Sequence, residues 1–234
     1  MHIPKNAGTT IEKLLVDNLT PIKVRTHIEH FKVDKIFSES IVACTGHVAY
    51  HRLLTYEFKY DNLISSIRDP FKALVSHLRW VQSISTDLNS ERYKQHNNVI
   101  QLISRHLNTI EWNDTQQIKK YVDNLTNLEL GLFDNNLVRF ISKKRVTGKV
   151  EEDDLKSAIE NIQNFDFVFV IEDFDNSIIR FNNQYGEHFK MENTMHNVNP
   201  SNIDTNVFYQ NEKHFANLTK FDNQLYKHIV NTLK

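Results

Sequence analysis

The residue types best suited to chemistry stand at the start of the chain, in "PKNAGTT" (4–10). Lys5 offers a point charge, Gly8 lets backbone come close to a ligand, and Thr9 and Thr10 offer hydroxyls and N–H groups. The following "TTIEKLLVDNL" has helical spacing, with Ile11, Leu14 and Leu15 on one face. A loop opening such a helix is suited to an anion, because helix N-termini present unpaired N–H groups and positive potential. It is not a Walker loop, since G-x-x-x-x-G-K-[ST] is absent. The same residues also make an ordinary turn with a threonine N-cap. A second stretch, "ISSIRDPFKALVSHL", runs from an apolar strand through Arg68-Asp69-Pro70 into a helix carrying Ser76. An arginine at a strand end can take two phosphate oxygens at once, and Ser76, eight positions on, can face the same pocket. The alternative is that Arg68 and Asp69 pair with neighbours.

These stretches need a scaffold. "SIVACTG" (40–46), "DNLISSI" (61–67) and "FDFVFVI" (165–171) read as short buried strands, rich in β-branched and aromatic residues. "PFKALVSHLRWVQSI" opens a helix with Pro70 just inside its start. "EEDDLKSAIENI" places acids at a helix N-terminus, and "DFDNSIIRFNNQYG" runs to a natural stop at Gly186. Two more helices are expected across 91–142, and one or two after 205. Strands alternating with helices argue an α/β fold with a doubly wound parallel sheet. The chain is read as a single domain, 1–234, its helix-rich middle packed over one end of the sheet.

Composition narrows the function classes. A formal net charge of -1 in 234 residues gives no field to gather nucleic acid. No apolar run approaches the roughly 20 residues of a spanning helix, and no secretory segment is evident. A cytoplasmic protein is expected, or the soluble part of something longer. The single cysteine, Cys44, excludes an internal disulfide and a multi-cysteine metal site.

Taken together, "HIPKNAGTT" and "SSIRDPFKALVSHLRW" resemble the two phosphate segments of the sulfotransferase superfamily that uses phosphoadenosine phosphosulfate (PAPS). The first is similar to the 5′-phosphosulfate loop, and the second to the 3′-phosphate segment with its serine eight positions after the arginine. The nearest branch is the Golgi-type carbohydrate sulfotransferases and their bacterial relatives. "TGHVAYHRL" is similar to the G-H segment of the uronosyl 2-O-sulfotransferases. "FDFVFVIEDFDNSI" and "HNVNPS" resemble the family's late strand, turn and helix, and its stretch before the final helices.

The resemblance implies a P-loop-like fold and a set of roles. Lys5, Asn6, Ala7, Gly8, Thr9 and Thr10 would wrap the 5′-phosphosulfate, and Arg68 and Ser76 would hold the 3′-phosphate. His47 matches the general base that takes the proton of an attacking sugar hydroxyl, a task suited to a group titrating near neutrality. His51 is the runner-up base and a substrate-binding candidate. Lys5 would also neutralise charge on the leaving phosphate oxygen. Arg139, in "DNNLVRFIS", resembles an acceptor-side arginine, or else it caps a helix end. The implied partner is a carbohydrate or glycan acceptor, and the implied chemistry needs no metal. The acids are scattered and no H-E-x-x-H occurs.

Other residues read more plainly. His2 packs within the loop motif, His27 and His30 pair locally with Glu29, "KKR" at 143–145 is a solvated face or else a grip for an anionic acceptor, and Glu172 and Asp173 cap the helix that follows them. The resemblance also places a central strand ahead of His2, where only Met1 stands, so an N-terminal strand is expected to be missing from the sequence as given. The rival readings are a non-catalytic member that binds nucleotide or glycan, and a P-loop kinase, which would use Mg²⁺. Acceptor specificity is expected to lie in 20–60 and 80–145.

Overall fold

The fold is that of a computed structural model, which describes residues 1–19, 23–31, 41–55, 60–186, 189–190 and 201–233. Parallel strands appear where the apolar runs predict them, in two separate pairs. β1 (Val24–Arg25) pairs with β2 (Ala43–Cys44), and β3 (Ile64–Ile67) pairs with β4 (Phe167–Val170). All of β4 is buried, as suits a strand covered on both faces. The expected strand over 40–46 narrows to β2, and β1 was not anticipated from the sequence pattern.

A single doubly wound sheet is not what the described residues form. Between the two pairs lies Met1–Ile3. The Met1 amine donates to the Ile64 carbonyl at 2.7 Å, and the His2 N–H donates to the Gly46 carbonyl at 2.9 Å. Two such bonds link the pairs but are too few to make a ladder. Ile3 is fully buried beside Ile67, Val168 and Val170, so the segment is held by apolar packing as well.

The helices begin with α1 (Gly8–Asn18), α2 (Tyr50–Leu53) and α3 (Pro70–Gln82). In α3, Asp69 accepts from the Lys72 N–H at 2.9 Å and Pro70 occupies the first turn, as the sequence predicts. The stretch expected to hold two helices holds five. These are α4 (Glu91–Gln95), α5 (Asn98–Leu107), α6 (Thr115–Asp123), α7 (Asn127–Phe133) and α8 (Asn136–Ile141). The physical reason is capping. Ser90, Asn97, Asp114 and Thr126 each accept from backbone N–H groups one turn ahead and restart the helix. α9 (Glu152–Ile162) and α10 (Phe174–Tyr185) follow, the latter ending at left-handed Gly186. α11 (Thr205–Gln210) and α12 (Glu212–Thr232) close the chain. Among the described residues no helix is long and apolar enough to cross a membrane.

α12 is tied to the middle helices by buried polar groups. Asn135 inserts into its hydrogen-bond ladder, donating from its N–H to Leu218 O at 2.7 Å and accepting from the Phe221 and Asp222 N–H groups. Asp222 reciprocates, its carboxylate accepting from Leu137 and Val138 N–H at the start of α8, both at 2.9 Å. Burial lifts the Asp222 carboxyl to about 7, against the pull of those two N–H groups toward the charged form.

A carboxyl raised in the folded state favours folding when protonated, so its contribution is complete below pH 3.8 and is lost as pH rises through about 7. The buried imidazoles of His2 and His77 and the Met1 amine, all lowered, oppose this trend in the intact protein. The difference between wild type and Asp222→Asn isolates the carboxyl. Urea unfolding from pH 4 to pH 8 is expected to show wild type losing stability relative to the variant as pH rises. A pH-independent difference would contradict the assignment.

Candidate functional site: an anion cradle beside a stacked histidine pair

The opening loop owes its shape to Asn6, which is 3% exposed. Its side-chain N–H₂ donates to Pro4 O at 2.9 Å, and its side-chain oxygen accepts from the Arg68 N–H at 2.7 Å. Its backbone oxygen accepts from the Ser66 hydroxyl. One residue thus fastens the loop to the carboxyl end of β3, where Arg68 begins the turn into α3. On either side of Asn6, Lys5 and Ala7 are left-handed, with φ of 64° and 57°. The Asn6 N–H between them donates to Ile3 O at 3.2 Å, closing a tight turn. α1 starts directly after Ala7 with no side chain capping it. Thr9 and Thr10 lie inside its first turn, so the threonine-capped turn does not form. The Thr10 N–H bonds back to Ala7 O at 2.9 Å, so the N–H groups of Gly8 and Thr9 are the ones left without a partner inside the helix.

Cations gather at this end. Lys5 Nζ lies 5.7 Å from the centre of the Trp80 ring, and the ion pairs among the described residues involve neither Lys5 nor Arg68. Burial lowers the Lys5 pKa, and the positive charges of Arg68 and then Arg92 lower it further. Cations held together without a carboxylate favour an incoming anion. Ser76 stands on α3, one turn before Trp80 and half-buried. The structure therefore brings Lys5 and Arg68 into one electrostatic neighbourhood at the mouth of the loop.

His47 borders the same cluster. Its ring stacks on that of His2, with centroids 3.9 Å apart and planes inclined by 27°. Its Nδ1 lies 3.2 Å from the His2 carbonyl oxygen, and its backbone N–H donates to Glu29 Oε2 at 2.9 Å. A carbonyl only accepts, so this contact assigns the ring proton to Nδ1 and leaves the Nε2 lone pair available. Burial lowers the His47 pKa, partly offset by the Glu29 charge and the His2 carbonyl, and the ring stays neutral at neutral pH. Burial also drives His2 down to about 3, helped by His47. His2 packs rather than titrates, as the sequence predicts.

The fit around these rings is close. A Cβ on Gly8 would fall within the His2 ring, and one on Gly46 would overlap the Glu29 carboxylate. Two further residues border the rings: Glu29, which the sequence offers only as a local partner of His27 and His30, and His77, which it does not single out. His77 is buried on α3, edge-on to Phe133 at 5.4 Å, and is lowered to about 3 by burial and then by Lys5 and His47. Its one sequence signal is a histidine on the apolar face of a helix.

The remaining candidates sit elsewhere. His51, on α2, has Arg145 and Arg52 as its charged neighbours; burial and then those charges lower its pKa. Arg139 is 8% exposed, and its guanidinium donates to Asp134 O and Oδ2 at 2.7 Å, to Val146 O at 3.2 Å and to Gly148 O. These are the bonds of a helix-end residue, the second of the two readings its sequence allows. Glu172 accepts from the Tyr226 hydroxyl and Asp173 from the Asn176 side chain, and no side chain caps α10, contrary to expectation. In "HNVNPS", positions 196–200 lie outside the described residues.

A cavity of about 20 Å³ lies behind the loop, lined in part by Asn6, Arg68, His77, Asn136, Thr219 and Asp222. That is room for a single water at most, too little for a nucleotide-sized ligand.

The His2–Gly8 contact makes a sharp test. Gly8→Ala is expected to destabilise the protein by about 1–3 kcal/mol through overpacking, and His2→Ala in the same chain to relieve about 0.5 kcal/mol or more of that. Strict additivity of the two changes in urea unfolding would contradict the contact. Comparison with protein-family models, curated proteins and solved structures finds no match to this chain.

Proposed function

We propose that this protein is a PAPS-dependent sulfotransferase that moves a sulfuryl group to a hydroxyl of a carbohydrate or glycan. The observation that carries this reading is the pairing of an uncapped, cation-rich loop with a neutral histidine. Lys5 and Arg68 meet at the start of α1 without a carboxylate partner among the described residues, and the His47 Nε2 lone pair is available beside them. Two anionic groups held by Lys5 to Thr10 and by Arg68 with Ser76 would match a nucleotide phosphorylated at both 5′ and 3′ positions. A P-loop-like sheet is part of the proposal. It is supported by two parallel pairs flanking Met1–Ile3, with the loop at the carboxyl end of β3, where ligands bind in open α/β sheets.

The donor supplies an activated sulfuryl group on a phosphate oxygen. His47 Nε2 takes the proton of the acceptor hydroxyl as its oxygen bonds to sulfur and the bond from sulfur to the phosphate oxygen breaks in line. The imidazolium is steadied by the ionised Glu29 carboxylate and held in orientation by the His2 carbonyl. Lys5 stabilises the charge left on the departing phosphate oxygen, and the N–H groups of the loop share that load. On the acceptor side, His51 beside Arg145 in the exposed run 143–145 offers positive surface to an anionic glycan.

Calorimetry with adenosine 3′,5′-bisphosphate, beside ATP with Mg²⁺, tests this. Metal-independent micromolar binding is expected, weakened about tenfold or more by Lys5→Ala or Arg68→Ala. His47→Ala should bind as tightly as wild type but lose about 100-fold or more in transfer from PAPS to an accepted glycan. Preference for ATP with Mg²⁺, or no binding of the bisphosphate, would overturn the proposal. Tight binding with no transfer by wild type to any of a panel of glycans would make the chain a non-catalytic binder.

A further inference from the structure

A second site stands on the other side of Glu29, in "HIEH" (27–30). His27, Glu29 and His30 are the one group of three donor side chains among the described residues whose ligand atoms all lie within 4.8 Å of one another. The distances are informative. His27 Nδ1 is 3.5 Å and His30 Nε2 3.9 Å from the same oxygen, Glu29 Oε1. Good hydrogen bonds are shorter than this, at about 2.7–3.2 Å. Donor atoms about 2.0–2.1 Å from a tetrahedral ion lie roughly 3.3 Å apart; both imidazoles stand near that spacing from Oε1, and within 4.8 Å of each other.

The carboxylate is oriented for the task. Its other oxygen, Oε2, accepts from the His47 N–H at 2.9 Å, and the whole group rests against Gly46, where no Cβ fits. Outer bonds of this kind fix a metal-ligating side chain and leave its second oxygen to face the ion. The two imidazoles are exposed, at 58% and 76% of their side-chain surface, and closing the last few tenths of an ångström costs only rotation in solvent.

We propose that His27, Glu29 and His30 form a three-ligand site for a divalent transition metal of the Zn²⁺ type, with a fourth position open to solvent. Two imidazoles and one carboxylate suit such an ion rather than Mg²⁺ or Ca²⁺, which favour all-oxygen shells. The site is separate from the phosphate loop. Glu29 joins the two, its opposite oxygen holding the His47 backbone N–H, and the metal site stands whether or not the chain transfers sulfate.

The test is titration of the intact protein with Co²⁺, read by the visible absorption of a four-coordinate ion. One equivalent is expected to give the band, His27→Ala and His30→Ala each to weaken binding by about tenfold or more, and the double variant to lose the band. Competition by Zn²⁺ should erase it in wild type. Because both imidazoles are exposed, the variants should keep the wild-type circular dichroism; His30→Ala, the more exposed of the two, tests the site should the double variant fold poorly. Absence of the band in wild type, or a band that persists with either His30→Ala or the double variant at unchanged affinity, would overturn the site.

Discussion

The site depends on how Met1–Ile3 is seated. The Met1 amine and the His2 N–H each donate to a carbonyl on a different strand pair, and Ile3 is sealed in the core between them. That seating delivers the loop to the carboxyl end of β3, where Asn6 can bond to both Arg68 and Ser66. It also places the His2 carbonyl where His47 needs an acceptor. Loosening these bonds would release the loop and His47 together. The burial of the amine shows how closely the segment is held: burial lowers it to about 6, slightly offset by Cys44.

Charge at this site is arranged by opposition. Arg68 and Arg92 each repel Lys5 and so favour an anion, while the Glu29 carboxylate is turned toward His47 rather than toward Lys5. A carboxylate on Lys5 would have cancelled the cradle. Asp69 is kept out of the way by its role as N-cap of α3. The same economy of placement lets the two oxygens of Glu29 serve different neighbours, His47 on one side and the His27–His30 pair on the other.

Much of this was legible from local sequence, and the failures have local causes too. α1, α3, α9 and α10 carry their own boundaries, in Gly8, in Asp69-Pro70, in an acidic first turn and in Gly186. The middle helices were undercounted because Ser90, Asn97, Asp114 and Thr126 look like surface residues until their backbone partners are seen. β1 is too short to leave a period-two pattern. At the site, Lys5, Arg68 and His47 were visible as residue types at suggestive positions. The hold of Glu29 on His47 across 18 residues, and the bond of Asn135 to Leu218 on α12, are long-range contacts that no local spacing encodes.

The central claim is that His47 carries its proton on Nδ1 and presents a free Nε2 beside the proposed anion loop. Nitrogen-15 NMR of the histidine side chains at neutral pH reads this directly, with His47→Gln and His2→Ala giving the assignments. The account predicts the Nδ1–H tautomer for His47, with its signals and those of His2 moving when adenosine 3′,5′-bisphosphate is added. An Nε2–H tautomer, or signals that ignore bound bisphosphate, would contradict it.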